Sequence, residues 1–150
     1  DMLHAMEEMV FGLLPSRIFI NIGTNDIGSP DYRLENLEIN CRRILEQIRS
    51  RLTQTEVFVM AYYPVNETVI AMGMTPEEAA GQFVTRNNRN IRLANQMMEQ
   101  LAGELGCRFI DVNEGLTDDQ GRLRKEFTVE GIHLYPNAYR IGLENLRKYL

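Results

Sequence analysis

Apolar residues recur at helical spacing in four stretches of the chain, each of which predicts an amphipathic helix. The first covers residues 2–14 and stops at Pro15, because proline cannot continue a helix. The second runs over residues 34–52, and its apolar face is Leu37, Cys41, Ile44, Leu45, Ile48 and Leu52. The third ends at Gly106 and carries Ile91, Ala94, Met98, Leu101 and Leu105 on one stripe. The last begins near Pro136 and continues to the C-terminus.

Short runs of β-branched and aromatic residues lie between these helices and predict buried strands at 17–22, 57–62 and 107–112. Residues 64–86 are the least regular stretch, although Thr75, Pro76 and Glu78 have the pattern of a capped helix start. Strands that alternate with helices predict an α/β protein, in which a parallel sheet carries helices on its faces. In such sheets, ligands bind beyond the carboxyl ends of the strands.

Composition narrows the class of protein further. With 150 residues, 44% of them hydrophobic, the sequence predicts one globular domain over residues 1–150. A net charge of -5 argues against nucleic acid as a partner, because binding to phosphates needs clustered lysine and arginine. No apolar run is long enough to span a membrane. No signal peptide is recognisable, which says little where the chain does not begin with methionine, so the compartment is left open with a cytoplasmic location favoured. Cys41 and Cys107 are expected to be buried free thiols rather than a disulfide or a metal site.

Two motifs follow predicted strands and carry candidate chemistry. Gly23-Thr24-Asn25-Asp26 is either a tight turn or a turn that directs the Asn25 amide toward a developing oxyanion. Glu130-Gly131-Ile132-His133 places a histidine near a carboxylate, which can hold the imidazole in one tautomer while it moves a proton. The alternative is a structural histidine bonded to local backbone. The other histidine, His4, has no acid arranged for it and is expected on the surface.

Taken in order, these motifs resemble those of the SGNH (GDSL-type) serine hydrolases. Residues 17–26 resemble the family's Gly-x-Asn-Asp block, and residues 127–139 resemble its Asp-Gly-x-His-Leu block. Residues 63–67 (Tyr-Pro-Val-Asn-Glu) and 111–113 (Asp-Val-Asn) also lie where the family's esterase branch has similar residues. That branch includes relatives of the platelet-activating-factor acetylhydrolase subunits and of carbohydrate acetylesterases. The resemblance implies a flavodoxin-like three-layer α/β/α sandwich.

The resemblance also implies roles for individual residues. Asn25 would be an oxyanion-hole donor, His133 the general base and Glu130 the acid that orients it. Gly23 and Asn66 would contact the substrate. The substrate would be a small-molecule ester, without a metal or organic cofactor, and a homo-oligomer is an open alternative. Glu130 departs from the family, which usually has aspartate at this position, and its extra methylene changes the reach of the carboxylate to the imidazole.

The family's nucleophile, the serine of a Gly-Asp-Ser block, has no counterpart in this sequence. Of the three serines, Ser50 is predicted on a helix, and Ser29 resembles a cap before Pro30. Ser16 starts a strand whose other end leads to Asn25, roughly 20 Å away at about 3.3 Å per residue. We therefore expect a nucleophile upstream of these residues, in a missing strand-helix-strand of roughly 40 to 60 residues. A partner chain that supplies those strands is the alternative.

Two functions are consistent with these observations. The first is an ester hydrolase of the SGNH class, and the second is a non-catalytic α/β binding or interaction module that has lost the nucleophile. Residues 64–86 are long for a connection between a strand and a helix, and they either shape the pocket or pack onto the scaffold. Their modest apolar content favours short acyl groups, such as acetyl on a sugar or another polar alcohol.

Overall fold

The computed structural model describes the backbone of residues 2–150 and the side chains of residues 5–150. The side chain of His4, predicted on the surface, lies outside the described part. Three parallel strands form the sheet within these residues: β1 (Arg17–Ile20), β2 (Glu56–Met60) and β3 (Arg108–Ile110). Their order is β1-β2-β3, with Ile18 opposite Val57 and Val59 opposite Phe109. In the described chain, β1 and β3 are therefore the edge strands.

Six α-helices lie in the described residues: α1 (Met2–Met9), α2 (Thr24–Ile27), α3 (Leu34–Arg51), α4 (Pro76–Gly81), α5 (Asn88–Glu104) and α6 (Pro136–Leu146). Short 3-10 turns lie at Phe11–Leu13, Lys125–Phe127 and Arg147–Tyr149. The predicted order of strands and helices is confirmed. So is the capping box of α4, in which Thr75 and Glu78 bond to each other's backbone N–H.

The sheet has an apolar core on each face, as a three-layer sandwich requires. Val57 and Val59 of β2 pack with buried residues of α3 and α5, among them Leu45, Ile48 and Leu101. The opposite face carries Phe58, whose ring stacks on Phe19 at 4.6 Å and packs with Ile110, Val112 and residues of the C-terminal helical segment. The predicted apolar face of the second helix is buried along its whole length. The expected α/β/α architecture is thus confirmed.

The first helix is shorter than its apolar spacing predicts. It ends at Met9 rather than near Leu14, and Leu14 adopts a left-handed backbone with φ 45°. Met9, Leu13 and Leu14 are all exposed, so the far end of the predicted stripe faces solvent. Apolar side chains that stay exposed contribute little to the stability of a helix. The α-helix therefore ends here, and a 3-10 turn follows it.

The strands also end earlier than predicted, because asparagine side chains replace the sheet's hydrogen bonds at the carboxyl edge. Asn21 Nδ2 donates to the carbonyl of Ala61 at 2.9 Å, directly after β1. After β2, the N–H of Tyr62 donates to Asn95 Oδ1 at 2.8 Å, and the carbonyl of Tyr62 accepts from Asn113 Nδ2 at 3.0 Å. These side chains fix the directions in which the loops leave the sheet.

Candidate active site

The turn after β1 depends on a glycine that is closely packed by its neighbours. Gly23 has φ +101°, a left-handed value that favours glycine, and it caps the short helix α2. A Cβ at Gly23 would lie 2.5 Å from Leu37 Cδ1 and 2.8 Å from Tyr62 Oη. The hydroxyl of Tyr62 donates to the carbonyl of Ile22 at 2.7 Å, and burial raises the pKa of this phenol far above its ordinary value of 10.0. The turn that presents Asn25 is therefore packed on a rigid base.

Asn25 lies in α2 with an exposed side chain. Its Oδ1 accepts a hydrogen bond from Nη2 of Arg86 at 3.3 Å. A guanidinium can only donate, so the amide oxygen belongs on the side of Arg86. The amide N–H bonds are then left to donate elsewhere, and their donation to an oxyanion stays a prediction.

The loop that carries Glu130 and His133 is closed by its own hydrogen bonds. Thr128 Oγ1 donates to the carbonyl of His133 at 2.9 Å and accepts from the N–H of Gly131, also at 2.9 Å. Oε1 of Glu130 accepts from the backbone N–H of His133 at 3.0 Å and contacts Nδ1 of the same ring. The Glu130 side chain is 14% exposed and that of His133 is 77% exposed. The imidazole thus has Nδ1 held by a shielded carboxylate, and Nε2 is left for another partner.

A cavity of about 240 Å³ brings the two motifs together. It lies at the carboxyl edge of the sheet, where the segments after the three strands meet. Asn25 and His133 both line it, together with Tyr62, Tyr63, Arg86 and Tyr139. Asn25 and Gly23 also line a larger adjoining groove of about 590 Å³, whose far wall is formed by α3. One amide and one imidazole thus face a common space, while their chemical roles stay predictions.

Asn66 has contacts of a different kind from those predicted. It is 1% exposed, its Nδ2 donates to the carbonyl of Leu123 at 2.6 Å, and its Oδ1 accepts from both the N–H and the hydroxyl of Thr68. Its own N–H donates to the carbonyl of Gly131 at 2.8 Å. These bonds support the loop that holds Glu130 and His133. A contact between Asn66 and substrate stays a prediction.

The irregular segment 64–86 contributes to the cavity only through its ends, with Val65 and Arg86. Phe83 is buried against the scaffold, while Ile70 and Met72 face solvent. The segment thus contributes two residues to the lining and packs Phe83 onto the scaffold, and its role in shaping a substrate pocket stays a prediction. Asn88 fixes the first end, since its side chain bonds to the N–H and the carbonyl of Val65 at 3.1 and 2.8 Å.

None of the three serines, all within the described residues, lines the cavity that Asn25 and His133 share. Ser50 donates to the carbonyl of Gln47 in α3, and Ser29 accepts from the N–H of Asp31. Ser16 precedes β1 and so lies at the opposite edge of the sheet.

Among the described side chains, no cluster of three or more histidine, cysteine or acidic residues could hold a metal ion. Within the same part of the chain, no helix has the length and apolarity to cross a membrane.

The parallel sheet with helices on both faces is the fold that the sequence motifs predicted for an SGNH hydrolase. Asn25 and His133 line one cavity at its carboxyl edge, and Glu130 bonds to His133, while the catalytic roles of the three stay predictions. Comparison with known proteins agrees with this class. Residues 3–141 match the GDSL-like lipase/acylhydrolase family, and the chain belongs to that family.

The chain spans only part of the length of the relatives that it matches. It is 25% identical over 129 residues to an N-acylneuraminate cytidylyltransferase of Escherichia coli O18:K1:H7, a match that covers 85% of this chain and 26% of that protein. A solved structure from Streptococcus pneumoniae, described as a platelet activating factor, is 30% identical with a TM-score of 0.73. That match covers 89% of this chain and 59% of the streptococcal one. A GDSL-like lipase from Bacteroides thetaiotaomicron shares the fold, with 19% identity, a TM-score of 0.75 and coverage of 98% and 67%.

Proposed function

We propose that this chain supplies the general base and one oxyanion donor of an ester hydrolase that cleaves short acyl esters by a Ser-His-acid mechanism. The observation that carries the proposal is the shared cavity of Asn25 and His133, with Glu130 bonded to the histidine ring. Besides a nucleophile, acyl transfer needs a base beside it and a donor for the oxyanion. Among the residues that line the cavity, His133 is proposed as the base and Asn25 as the donor.

In the proposed reaction, Nε2 of His133 takes the proton of a serine hydroxyl as the serine oxygen attacks the ester carbonyl. The N–H of Asn25 donates to the oxyanion that forms, and Glu130 stabilises the imidazolium. His133 then passes the proton to the departing alcohol, which leaves an acyl-serine. Water, deprotonated by the same histidine, then attacks the acyl carbon. As the acid departs, His133 returns this proton to the serine oxygen, and the cycle closes without a metal or an organic cofactor.

The serine is proposed to come from a segment outside these 150 residues, since none of the serines here reaches the cavity. Coverage supports this, because the match to the streptococcal protein takes up 59% of that protein's length. We call the protein that includes this serine the nucleophile-bearing protein. The 150-residue chain alone should therefore show no serine-dependent esterase activity.

The proposed substrate is an ester of a short acyl group with a polar alcohol such as a sugar. A space of about 240 Å³ lies at the small end of ligand pockets, which is consistent with a short acyl chain. Three tyrosines line it, two of which, Tyr63 and Tyr139, meet edge to face with ring centroids 6.4 Å apart. Tyrosine offers both an apolar ring face and a hydroxyl, a combination that suits a polar alcohol.

The experiment is steady-state kinetics of the nucleophile-bearing protein with p-nitrophenyl acetate. Asn25→Ala should lower kcat by about 10² to 10³, the usual effect of removing one oxyanion donor. His133→Ala should lower it at least as much, because no other histidine, lysine, cysteine or carboxylate lines the cavity among the described residues. As a control, Asn36→Ala changes an exposed asparagine of α3 that lines neither the cavity nor the adjoining groove and should leave kcat unchanged. Near-normal turnover by His133→Ala would show that the base has been misassigned.

A second candidate is a non-catalytic binding or interaction module, and the absence of a serine from the cavity of the described chain favours it. The two candidates differ in their reaction with a fluorophosphonate probe. The full natural protein should be labelled on one serine if it is an esterase, and that labelling should fall sharply in His133→Ala. A protein that binds without catalysis would show no labelling above that of its denatured form.

A further inference from the structure

Arg86 lies against the turn that presents Asn25, although 61 residues separate the two in sequence. Its guanidinium occupies the space left by the missing side chain of Gly28. A Cβ built on Gly28 would be 2.3 Å from Nη2, 2.6 Å from Cζ and 2.7 Å from Nε of Arg86. These distances are all shorter than real contacts of a Cβ atom, so the arginine has this position only because residue 28 is glycine.

The guanidinium has few partners besides Asn25. No ion pair between described side chains includes Arg86. Its Nε is enclosed and has no hydrogen-bond partner among the described residues. An enclosed donor without a partner opposes folding, so stability alone does not explain why an arginine lies here.

We propose that Arg86 is a positioning residue, which holds the Asn25 amide with its oxygen toward the guanidinium and its nitrogen toward the reacting oxygen. An asparagine amide can otherwise rotate by half a turn and present its acceptor where a donor is required. Because the guanidinium has no acceptor, it pairs with only one of the two orientations. The proposal rests on the proposed function, since it concerns the donor of that same oxyanion site.

The positive charge of the Arg86 guanidinium also favours donation by the Asn25 amide. Nη2 hydrogen-bonds to the oxygen of the amide, and this polarises the amide N–H bonds at its other end. Arg86 thereby acts on the oxyanion through Asn25 and need not touch the substrate.

The test is a double-mutant cycle in the nucleophile-bearing protein, with kcat and KM measured on p-nitrophenyl acetate. Arg86→Ala should lower kcat about tenfold, as expected for the loss of one hydrogen bond, and leave KM within about twofold. In the Asn25→Ala background, the same substitution should change kcat less than about twofold, because its target is gone. Arg89→Ala, at an exposed site on α5, is the matched control and should behave as the unchanged protein.

Gly28→Ala provides a second route that keeps the arginine. Gly28 has φ -82°, which alanine adopts without strain, so the substitution acts by displacing the guanidinium. It should lower kcat as much as Arg86→Ala does, and combining the two should add little. This variant also decides the question if Arg86→Ala does not fold.

The outcomes separate the two proposals. If Asn25→Ala leaves kcat unchanged, the proposed oxyanion donor is wrong, and with it the proposed function. Arg86→Ala could instead lower kcat by the same factor in the unchanged protein and in the Asn25→Ala background. In that case Arg86 does not act through Asn25, and the inference is overturned. An increase in KM for anionic esters alone, with kcat preserved, would make Arg86 a substrate contact and would also overturn it.

Discussion

Replacing Glu130 by glutamine removes one negative charge beside His133 and changes little else. Oε1 of Glu130 accepts from the backbone N–H of His133 at 3.0 Å as well as contacting ring Nδ1. A glutamine oxygen can still accept from the backbone, so the loop should keep its shape. The neutral amide cannot stabilise the charge that the ring carries after it takes a proton. We therefore expect a loss of turnover without a loss of folding.

The magnitude depends on the exposure of the pair. Two unit charges about 4 Å apart attract by about 1 kcal/mol in water and by about 4 kcal/mol near a protein surface. The Glu130 side chain is 14% exposed and that of His133 is 77% exposed, so the attraction within this pair is expected to lie between these two energies. Since about 1.4 kcal/mol corresponds to a tenfold change in rate, Glu130→Gln should lower kcat between about 5-fold and 10³-fold.

The assay is steady-state hydrolysis of p-nitrophenyl acetate by the nucleophile-bearing protein, with thermal unfolding measured alongside. Glu126→Gln is the control, because Glu126 pairs with Arg124 at an exposed site, where an ion pair contributes little. Glu130→Asp should retain most of the activity, since it keeps the carboxylate. Unchanged kcat in Glu130→Gln, with the same melting temperature, would refute the reasoning and assign the orientation of His133 to another group.

Three further predictions test the scaffold and the pocket. Gly131→Ala should destabilise the fold by about 2 to 4 kcal/mol in urea unfolding, because φ is +95° and the new Cβ would lie 2.3 Å from the Asn66 carbonyl oxygen. Gly121→Ala, at φ +74° with open space around it, should cost only about 1 kcal/mol, and equal losses would mean that the contact with Asn66 is not rigid. Across p-nitrophenyl esters of increasing chain length, kcat/KM of the nucleophile-bearing protein should peak below eight carbons, and a later peak would indicate a lipase-like pocket. Burial raises the pKa of the Cys41 thiol from 9.0 to about 11, so the unfolded chain releases this proton first and stability should fall as the pH rises from about 9 to 11. Cys41→Ala should make that fall shallower, and an identical pH profile would contradict the assignment.

Helical periodicity was sufficient to predict the long helices, because each buries a continuous apolar face against the sheet. For α3, the predicted range 34–52 differs from Leu34–Arg51 by one residue. The strands were predicted too long, because periodicity carries no information on side-chain hydrogen bonds. Asn21 and Asn95 bond to backbone groups near the ends of the strands, and their partners are distant in sequence.

The candidate site was predictable only in part. The motifs identified Asn25, Glu130 and His133 as candidates, and a parallel sheet brings the loops after its strands together at one edge. The contact of Arg86 with Asn25 could not be predicted, because it depends on the empty space at Gly28. Asn66 has the residue type of a ligand contact, yet its bonds to Leu123 and Thr68 become visible only once the loops are folded.

The central claim is that Asn25 and His133 act on the same reacting centre. A crystal structure of the nucleophile-bearing protein, inactivated by an alkyl fluorophosphonate, tests this directly because the phosphonyl group mimics the tetrahedral intermediate. The account predicts a phosphorus–serine bond within the cavity, with the phosphonyl oxygen about 3 Å from Asn25 Nδ2 and the serine oxygen beside His133 Nε2. An adduct whose oxygen is bonded by other donors, with Asn25 turned away or His133 out of reach of the serine, would contradict it.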